Sequence, residues 1–461
     1  MFLLVNVKVQ MPYIDEIFHI PQTQRYCDED YYSWDPKITT PPGLYLLGVL
    51  YSKLISSLHW MFSFSDTLYC TIPVLRSLNF IGAVIVFPLI LSFHPRSGLD
   101  FSPVSLGVFP LMAFFSSLYY TDVWSTNILL LSLVIGLRAK KSSSRILLSA
   151  ILAAFSVTFR QTNIVWVGFN LITILDDSFI PKHISNPLLR LKALLYTFLT
   201  LKPHTRLLIF SYGAIAAMFA IFLRINGSIT LGDKSNHVSA LHIPQIFYFS
   251  IFTTFFSWPT WLSFNYLRIY IDDNFNLSKN RYSILRVLLT GLSLSFIAYI
   301  QLNYAIEHPF LIADNRHYTF YIWRRLIRPA LGLRDDFSSN RSKSLAYLVV
   351  ICLLTHFSLW NMWTKLCNSK SSANVNTILA LLGSVIITLA PSPLFEPRYY
   401  IIPYIIWRLS IGTATNHSKY NARLLAEWWW YMIINITTGY FFLMYPFEWA
   451  SEPGIIQRFM W

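Results

Sequence analysis

The stretch MPYIDEIFHIPQTQRYC, residues 11–27, places two adjacent carboxylates, Asp15 and Glu16, just ahead of a long series of apolar segments. Neighbouring acids at the edge of a membrane domain are costly to desolvate, so they are usually kept there for chemistry or for binding an ion. We therefore expect Asp15 and Glu16 to belong to the functional site of this chain.

The composition is that of a polytopic membrane protein. Of the 461 residues, 54% are hydrophobic, 17% are aromatic and only 13% are charged, whereas soluble proteins have about 25% charged residues. A chain this apolar cannot bury its side chains in one aqueous core, so lipid must be part of its solvent. The formal net charge of +14 does not indicate a nucleic-acid partner, because the basic residues are dispersed in short loops between apolar runs, as the positive-inside rule predicts.

Apolar runs of spanning or near-spanning length predict an all-α polytopic protein with about 12 transmembrane helices. The stretch 145–176 is interpreted as two helices, because FRQTN (residues 159–163) would otherwise put three polar side chains at bilayer depth. The runs lie at 71–93, 101–119, 123–138, 145–160, 161–176, 206–224, 242–265, 282–304, 344–364, 376–391, 399–413 and 425–447.

The segment 42–63 allows two interpretations. Lys53, His59 and several serines dilute its apolar residues, which cluster at helical spacing. As a span, it would leave the basic stretches 138–145 and 182–206 outside. As an amphipathic helix lying in the membrane interface, it places both in the cytosol, in agreement with the positive-inside rule. We prefer the interfacial helix.

With this topology, seven polar strings fall on the lumenal side, and we expect them to converge into one active site. We interpret the chain, residues 1–461, as a single integral membrane domain made of a first lumenal loop (11–70), a helical group (71–304), a basic lumenal loop (305–343) and a C-terminal helical group (344–461). The strings are MPYIDE (11–16), WDPKITTPPG (34–43), YYTD (119–122), FRQTN (159–163), GDKSNH (232–237), ADNRHYTFYIWRR (313–325) and FEPRYY (395–400).

The four cysteines show no metal-ligand spacing. Cys27 and Cys70 fall on the predicted lumenal side, where a disulfide is chemically allowed. Two unpaired thiols would fit the sequence equally well.

Three parts of the sequence together resemble one family: MPYIDEIFHIPQTQRYC with WDPKITTPPGLY, then LIADNRHYTFYIWRR, then the terminal QRFMW. They are similar to the endoplasmic-reticulum α-1,2-glucosyltransferases that use dolichyl-phosphate glucose to add the last glucose to the lipid-linked oligosaccharide for N-glycosylation. The resemblance implies a class-C glycosyltransferase fold with juxtamembrane lumenal helices. Family members have a transmembrane helix before the acidic loop. MFLLVNVKVQ is too short to span, so we expect a first helix to be missing here.

The resemblance also implies the partners and the chemistry. The donor is dolichyl phosphate glucose, the acceptor is the diglucosylated lipid-linked oligosaccharide, and the active site faces the lumen of the endoplasmic reticulum. A β-linked donor and an α-linked product require one in-line displacement, in which one carboxylate takes the proton of the acceptor hydroxyl. We expect Asp15 to be this base, with Glu16 as an orienting residue or a substitute. The alternative is an acid pair that only stabilises a helix start.

The lipid phosphate leaves without protonation and needs cationic stabilisation instead. Arg316 and His317 are the first candidates, and Arg324 follows, although an exposed arginine can also lie in the interface without a ligand. We expect Arg398 and Glu396 to pair with each other; the alternative for Arg398 is a contact with substrate. Residues of the strings that we expect to bind substrate are Asp314, Asn315, Arg316, His317, Tyr318, Arg324, Trp34, Asp35, Lys37, Arg160, Gln161, Asn163 and Arg398.

We expect neither a cofactor nor a metal ion, because a lumenal base and basic phosphate contacts explain the same residues. Two other classes compete with the enzyme. A transporter or channel would place ionisable residues near the midplane and often repeat one half of its sequence, but here the charges gather at one face. The other is a catalytically inactive scaffold or regulatory membrane protein of the same ancestry.

Overall fold

The computed structural model describes residues 1–63, 69–95, 102–139, 142–184, 186–234, 238–277, 282–333, 341–367, 374–411 and 417–461. Its regular structure is almost entirely helical, as predicted. The exception among the described residues is one two-stranded antiparallel sheet, which the all-α prediction did not include. The chain forms two compact units, Met1–Val238 with Ala373–Ser384, and Ser239–Ser372 with Val385–Trp461.

The first unit is helical in all of its described regular structure. Many helices begin at a proline in the first turn, where the missing N–H has no helical partner to lose. Its helices are α1 Phe2–Lys8, α2 Glu16–Cys27, α3 Gly43–Ser63, α4 Ile72–Ile81, a π-helical segment Gly82–Val86, α5 Phe87–Ser92, α6 Ser102–Gly107, α7 Pro110–Phe115, α8 Asp122–Leu137, α9 Ser143–Val157, α10 Asn163–Phe179, α11 Pro187–Thr200 and α12 Pro203–Asn226.

The second unit carries the remaining helices and the sheet. In the sheet, Phe447 pairs with Gln457 and Trp449 pairs with Glu452, with a bulge between the two pairs. Helix α20 begins in the first unit and ends in the second. The elements are α13 Pro244–Trp261, α14 Phe264–Asn274, α15 Ser283–Tyr304, α16 Pro309–Ala313, α17 Tyr318–Ile322, a π-helical segment Trp323–Ile327, α18 Arg328–Ala330, α19 Arg341–Cys367, α20 Val375–Leu389, a 3₁₀ turn Pro397–Tyr400, α21 Ile401–Ser410, α22 His417–Met444, β1 Phe447–Trp449 and β2 Glu452–Gln457.

Four helices within the described residues are long and apolar enough to cross a membrane: Ile72–Ser92, Pro203–Asn226, Ser283–Tyr304 and Ser344–Cys367. Shorter apolar helices accompany them at Asp122–Leu137, Ser143–Val157 and Val375–Leu389. The total of about 12 spans therefore stays a prediction.

One of the predicted runs does not form one continuous helix. The run 101–119 forms two helices of six residues each, α6 and α7, and neither is long enough to cross a bilayer. The break lies at Phe109, whose φ of −51° and ψ of 126° are extended. Pro110 follows it, and a proline disfavours the helical conformation of the residue before it. By contrast, the break predicted at FRQTN is confirmed, since α9 ends at Val157 and α10 begins at Asn163.

Helix α3 coincides with the segment 42–63. Leu44 and Tyr45 are fully buried in the core of the first unit, while Leu46, Leu50 and Leu54 lie on the exposed side at four-residue spacing. An exposed stripe of leucines suits contact with lipid. The helix is not among the four that meet the criteria for a span, and its interfacial position stays a prediction.

Helix α2 is fixed at its far end by a disulfide between Cys27 and Cys70, which decides between the two alternatives that the sequence left open. The link is reinforced by hydrogen bonds: Gln24 donates to the carbonyl of Cys70 at 3.2 Å, and Tyr69 donates to the carbonyl of Cys27 at 3.1 Å. The covalent bond thus joins the end of α2 to the start of α4.

We expect this disulfide to be present in the purified protein, because both sulfurs are buried together. Denatured, unreduced protein should react with two equivalents of a maleimide, at Cys352 and Cys367, and reduced protein with four. Mass spectrometry of the labelled chain counts them. Cys70→Ser should expose one further thiol without reduction. Four reactive thiols in unreduced protein would contradict the pairing.

Candidate functional site

Asp15 immediately precedes α2 and is half-buried. Its backbone N–H donates to the hydroxyl of Tyr120 at 3.2 Å. The residue before it, Ile14, has a φ of +51°. A β-branched residue rarely adopts this left-handed conformation, which costs about 1–3 kcal/mol and persists only where surrounding contacts hold it. The turn that presents Asp15 is therefore held by its neighbours.

Glu16 has a different environment from its neighbour. Its side chain and that of Arg76 are both 0% exposed and form an ion pair. Oε1 accepts hydrogen bonds from Arg76 Nε at 2.9 Å and from the backbone N–H of Tyr119 at 2.6 Å. Oε2 accepts from Arg76 Nη2 at 2.6 Å and from the backbone N–H of Tyr13 at 3.0 Å. These four donors match the four acceptor positions of a carboxylate.

Arg76 extends this contact to the chain that precedes α2. Its Nη1 donates to the carbonyl of Val9 at 2.6 Å, and its Nη2 donates to the carbonyl of Met11 at 3.1 Å. Arg76 lies on α4, so one buried arginine joins α4 to both sides of the strained turn. The two adjacent acids diverge: Glu16 points inward with all of its acceptor positions occupied, whereas Asp15 is half-buried.

Five of the seven polar strings lie in the first unit, and each of them contacts at least one of the others; the convergence of all seven strings into one active site stays a prediction. The last three residues of GDKSNH, 235–237, lie outside the described residues. The linking contacts are Tyr119 N–H to Glu16 Oε1 (2.6 Å), Arg160 Nη2 to Asp122 Oδ1 (2.9 Å), Gln161 Nε2 to the Thr39 carbonyl (2.7 Å) and Asp233 N–H to the Pro36 carbonyl (2.9 Å).

Gly232 makes the contact between the GDK and WDPK strings possible. A Cβ atom on this residue would lie 2.2 Å from the carbonyl oxygen of Pro36 and 2.6 Å from that of Ile38. Since both neighbours are backbone atoms, they cannot move aside as a side chain would. Only glycine allows the two strings to approach this closely.

The candidate sugar-binding residues Trp34, Asp35 and Lys37 lie on the loop between α2 and α3. Trp34 is half-buried and packs edge-on against Tyr45, with 5.8 Å between ring centroids. Asp35 Oδ1 accepts the backbone N–H of Lys37 at 2.9 Å. Lys37 is exposed, with its Nζ 5.7 Å from the ring centre of Phe18, one turn of α2 from Asp15.

The residues of the FRQTN string differ in accessibility. Arg160 retains 16% exposure of its side chain. Asn163 is fully buried and donates to Ser125 Oγ at 2.9 Å and to the carbonyl of Ser156 at 3.0 Å. Asn163 thus joins α8, α9 and α10, while Arg160 keeps contact with the surface.

The ADNRHY string lies in the second unit. Arg316 and Asp314 form a two-point ion pair, with Nε to Oδ1 at 2.8 Å and Nη2 to Oδ2 at 2.7 Å. Partial burial of Asp314 opposes its ionisation, but the hydrogen bonds and charge of Arg316, with the charge of His317, lower its pKa overall. Asp314 is therefore ionised at neutral pH and holds the guanidinium at a fixed place.

The C-terminal hairpin and the residues after it complete this second group. Gln457 Oε1 accepts from Arg316 Nη1 at 3.0 Å, and the guanidinium carbon lies 4.6 Å from the ring centre of Trp449. Trp449 Nε1 in turn donates to Asn315 Oδ1 at 2.7 Å. Sequence reasoning used QRFMW only as a mark of the family and missed its structural role, and nothing in the local pattern singled out Trp449.

The two other basic candidates in the second unit, Arg324 and Arg398, differ in their surroundings: the first is exposed and the second forms an ion pair. Arg324 is exposed and lies over the ring of Phe320, with 5.8 Å from its guanidinium carbon to the ring centre. Arg398 Nη2 contacts Glu396 Oε1 at 2.8 Å, and both side chains are at most 13% exposed. The predicted pairing of these two residues is confirmed.

Comparison with known proteins identifies the family. The sequence profile of the DIE2/ALG10 family matches residues 9–409. The chain belongs to this family.

The relatives of this DIE2/ALG10 member are similar over nearly their whole length. A protein of Yarrowia lipolytica, named Dol-P-Glc:Glc(2)Man(9)GlcNAc(2)-PP-Dol alpha-1,2-glucosyltransferase, is 40% identical over 100% of this chain and 95% of its own length. A human protein of the same name is 33% identical over 98% of this chain and 93% of its own. The resemblance seen in the sequence strings is thereby confirmed.

An oligosaccharyltransferase of Archaeoglobus fulgidus is similar in structure over 90% of this chain and 53% of that protein, with a TM-score of 0.29 and 12% identity. A likeness this weak supports no conclusion about the fold of the DIE2/ALG10 member. Among the described residues, no group of three or more histidine, cysteine, aspartate or glutamate side chains is arranged to hold a metal ion.

We expect Arg76→Met to destabilise this DIE2/ALG10 member strongly, because Glu16 would be left buried without its counter-charge. Breaking a buried pair in this way costs about 3–5 kcal/mol. The free energy of unfolding, measured by SDS titration from mild detergent, should fall by this amount. Arg268→Met is the matched control, since its pair with Asp272 is 3.7 Å long and Arg268 is 80% exposed; it should change little. Equal effects of the two substitutions would contradict the assigned role of Arg76.

Proposed function

We propose that this chain transfers glucose from dolichyl phosphate glucose to Glc2Man9GlcNAc2-PP-dolichol, with inversion, and forms the terminal α-1,2-linked glucose. We place it in the endoplasmic reticulum membrane with a lumenal active site. We assign it a class-C glycosyltransferase fold of about 12 spans in one domain, with the first lumenal loop at 11–70, helical groups at 71–304 and 344–461, and the basic lumenal loop at 305–343.

The observation that carries the proposal is the presentation of Asp15 by a strained, half-buried turn in a chain that matches named α-1,2-glucosyltransferases from end to end. The names of the relatives do not favour a transporter or a channel, because they describe the transfer of a glucose group. An inactive member of the family is distinguished from an active one by the experiment below.

The reaction is one displacement at the anomeric carbon of the donor glucose. The acceptor 2-hydroxyl oxygen forms a bond to this carbon while the bond from the carbon to the lipid phosphate oxygen breaks. The electron pair of the breaking bond leaves with the phosphate, and the hydroxyl proton passes to a carboxylate. Attack opposite the leaving group converts the β-linked donor into an α-linked product.

Asp15 serves as the base that accepts the proton. It is half-buried and next to a turn held by packing, whereas Glu16 is fully buried with all four acceptor positions occupied. A saturated carboxylate cannot take a proton without breaking its contacts with Arg76. Glu16 therefore acts by fixing the turn from which Asp15 projects.

The leaving phosphate acquires negative charge as the bond breaks, so the transition state needs a cation held in place. Arg316 is fixed by Asp314 and by the C-terminal hairpin, and His317 is its neighbour. Exposed Arg324 attracts the anionic donor. Trp34, Asp35 and Lys37 contribute to sugar recognition. Arg160 and Arg398 are further candidates for the phosphate, and Gln161 and Asn163 bind substrate directly or through the loop that they hold.

We expect Asp15→Asn to abolish transfer, because the amide cannot accept the proton; loss of a general base lowers the rate by about 10²–10⁴-fold. The variant is expressed in cells that lack the terminal glucosyltransferase, and their lipid-linked oligosaccharides are separated by chromatography. The wild-type chain should convert the accumulated diglucosylated species to the triglucosylated one, and Asp15→Asn should not, at equal protein abundance.

Asp28→Asn is the matched control, because Asp28 is exposed at the other end of α2 and should support full conversion. Glu16→Gln should lower the abundance of the protein more than it lowers the transfer activity per protein molecule. Full conversion by Asp15→Asn would refute the base assignment, and no conversion by the wild-type chain would refute the proposed function.

Transfer should not require a divalent cation, because the proposed leaving-group stabilisation comes from arginine and histidine side chains. Purified protein, assayed with donor and acceptor after treatment with excess EDTA, should retain its rate. The control is a second sample to which magnesium or manganese is restored. A rate that falls in EDTA and recovers with added metal would contradict this expectation.

A further inference from the structure

The rings of Tyr318 and Trp461 pack edge to face, with 5.2 Å between their centroids. The hydroxyl oxygen of Tyr318 and the indole Nε1 of Trp461 are both buried, and within the described residues neither has a hydrogen-bond partner. More than about 90% of buried polar groups in native proteins are paired. Two such donors on packed rings indicate a position where an acceptor from a ligand belongs.

Burial raises the pKa of the Tyr318 hydroxyl, so this group keeps its proton at neutral pH. Trp461 Nε1 can only donate. Both groups can therefore donate a hydrogen bond to an acceptor oxygen of a ligand.

The backbone fixes the two donors firmly. Met460 N–H donates to the carbonyl of Arg316 at 2.9 Å, and Tyr318 N–H donates to the carbonyl of Met460 at 3.1 Å. His317 Nδ1 lies 2.8 Å from the main-chain oxygen of Trp461. Because that oxygen only accepts, His317 donates from Nδ1. The two segments thus run side by side as a short parallel bridge.

The charges beside this bridge indicate which oxygen is bound. Arg316 and His317 directly precede Tyr318 in the chain, and both have side chains that are less than 20% exposed. A fixed guanidinium next to two unpaired donors favours an anionic oxygen over a sugar hydroxyl. A phosphate group offers several such oxygens at once.

We propose that Trp461 and Tyr318 are ligands of the donor phosphate, and that the terminal segment 457–461 forms one wall of its binding site. This inference rests on the proposed function, which assigns Arg316 and His317 to the same phosphate. It adds Trp461 as a binding residue and gives Tyr318 a defined role, that of a hydrogen-bond donor.

The test uses Tyr318→Phe, which removes only the hydroxyl donor, and Trp461→Phe, which removes the indole N–H together with part of the ring. The probe is farnesyl phosphate, with farnesol as its uncharged counterpart, and binding to the purified full chain in detergent is measured by thermophoresis. Each substitution should raise the dissociation constant for farnesyl phosphate about tenfold, or about 1.4 kcal/mol. Binding of farnesol should not change.

The unfolding temperature separates a binding role from a structural one. Tyr318→Phe keeps the ring and deletes a donor that has no partner within the described residues, so its unfolding temperature should stay the same or rise. Trp461→Phe also loses ring packing and is judged by binding alone. Trp429→Phe and Tyr299→Phe are the matched controls, because Trp429 is 57% exposed and Tyr299 is 55% exposed; both should leave binding and unfolding unchanged.

Unchanged affinity for farnesyl phosphate would overturn the proposal. So would an equal loss for farnesol, or a fall in the unfolding temperature of Tyr318→Phe, which would assign its hydroxyl to a structural water. In the transfer assay, the donor KM should rise and the acceptor KM should not. A chain that binds farnesyl phosphate through these donors but transfers no glucose would refute the proposed function and leave this site standing.

Discussion

The buried ion pair between Glu16 and Arg76 is the constraint on which the first unit depends. Removing both charges from water is costly, and the cost is offset only if nearly every donor and acceptor is satisfied. The structure meets this condition, since the carboxylate accepts four hydrogen bonds and the guanidinium also donates to the carbonyls of Val9 and Met11. The positions of α2, α4 and the chain before α8 are thereby fixed relative to one another.

This constraint explains why Asp15 and Glu16, two carboxylates adjacent in sequence, lie in different environments. Glu16 opens α2 from inside the unit, so its neighbour on the preceding turn lies toward the surface. The strained conformation of Ile14 is the local consequence, and the disulfide between Cys27 and Cys70 holds the other end of the helix. With both ends of α2 fixed, the turn before α2 holds Asp15 in a rigid frame, and the proposed proton transfer to Asp15 would need no reorganisation of that frame.

Local features of the sequence predicted part of this arrangement, but contacts between residues far apart in the sequence were not predicted. The break at FRQTN follows from the cost of polar groups in lipid. Arg76 was not predicted, because a single arginine near the start of an apolar run reveals no partner 60 residues away. The run 101–119 was misjudged because hydropathy counts apolar side chains and ignores how Pro110 alters the residue before it.

The second unit shows why a binding cation needs neutral as well as charged neighbours. In the basic stretch after α15, Arg316 and Arg328 pair with Asp314 and Glu307, whereas Arg324 and Arg325 are exposed. An exposed arginine attracts an anion but must give up side-chain freedom to hold it. Arg316 has already lost that freedom to Asp314, Gln457 and Trp449, although the carboxylate also reduces its attraction for a phosphate. In the proposed phosphate site, the unpaired donors on Tyr318 and Trp461 would restore affinity without adding charge, and the terminal segment would compensate for the attraction that the ion pair removes.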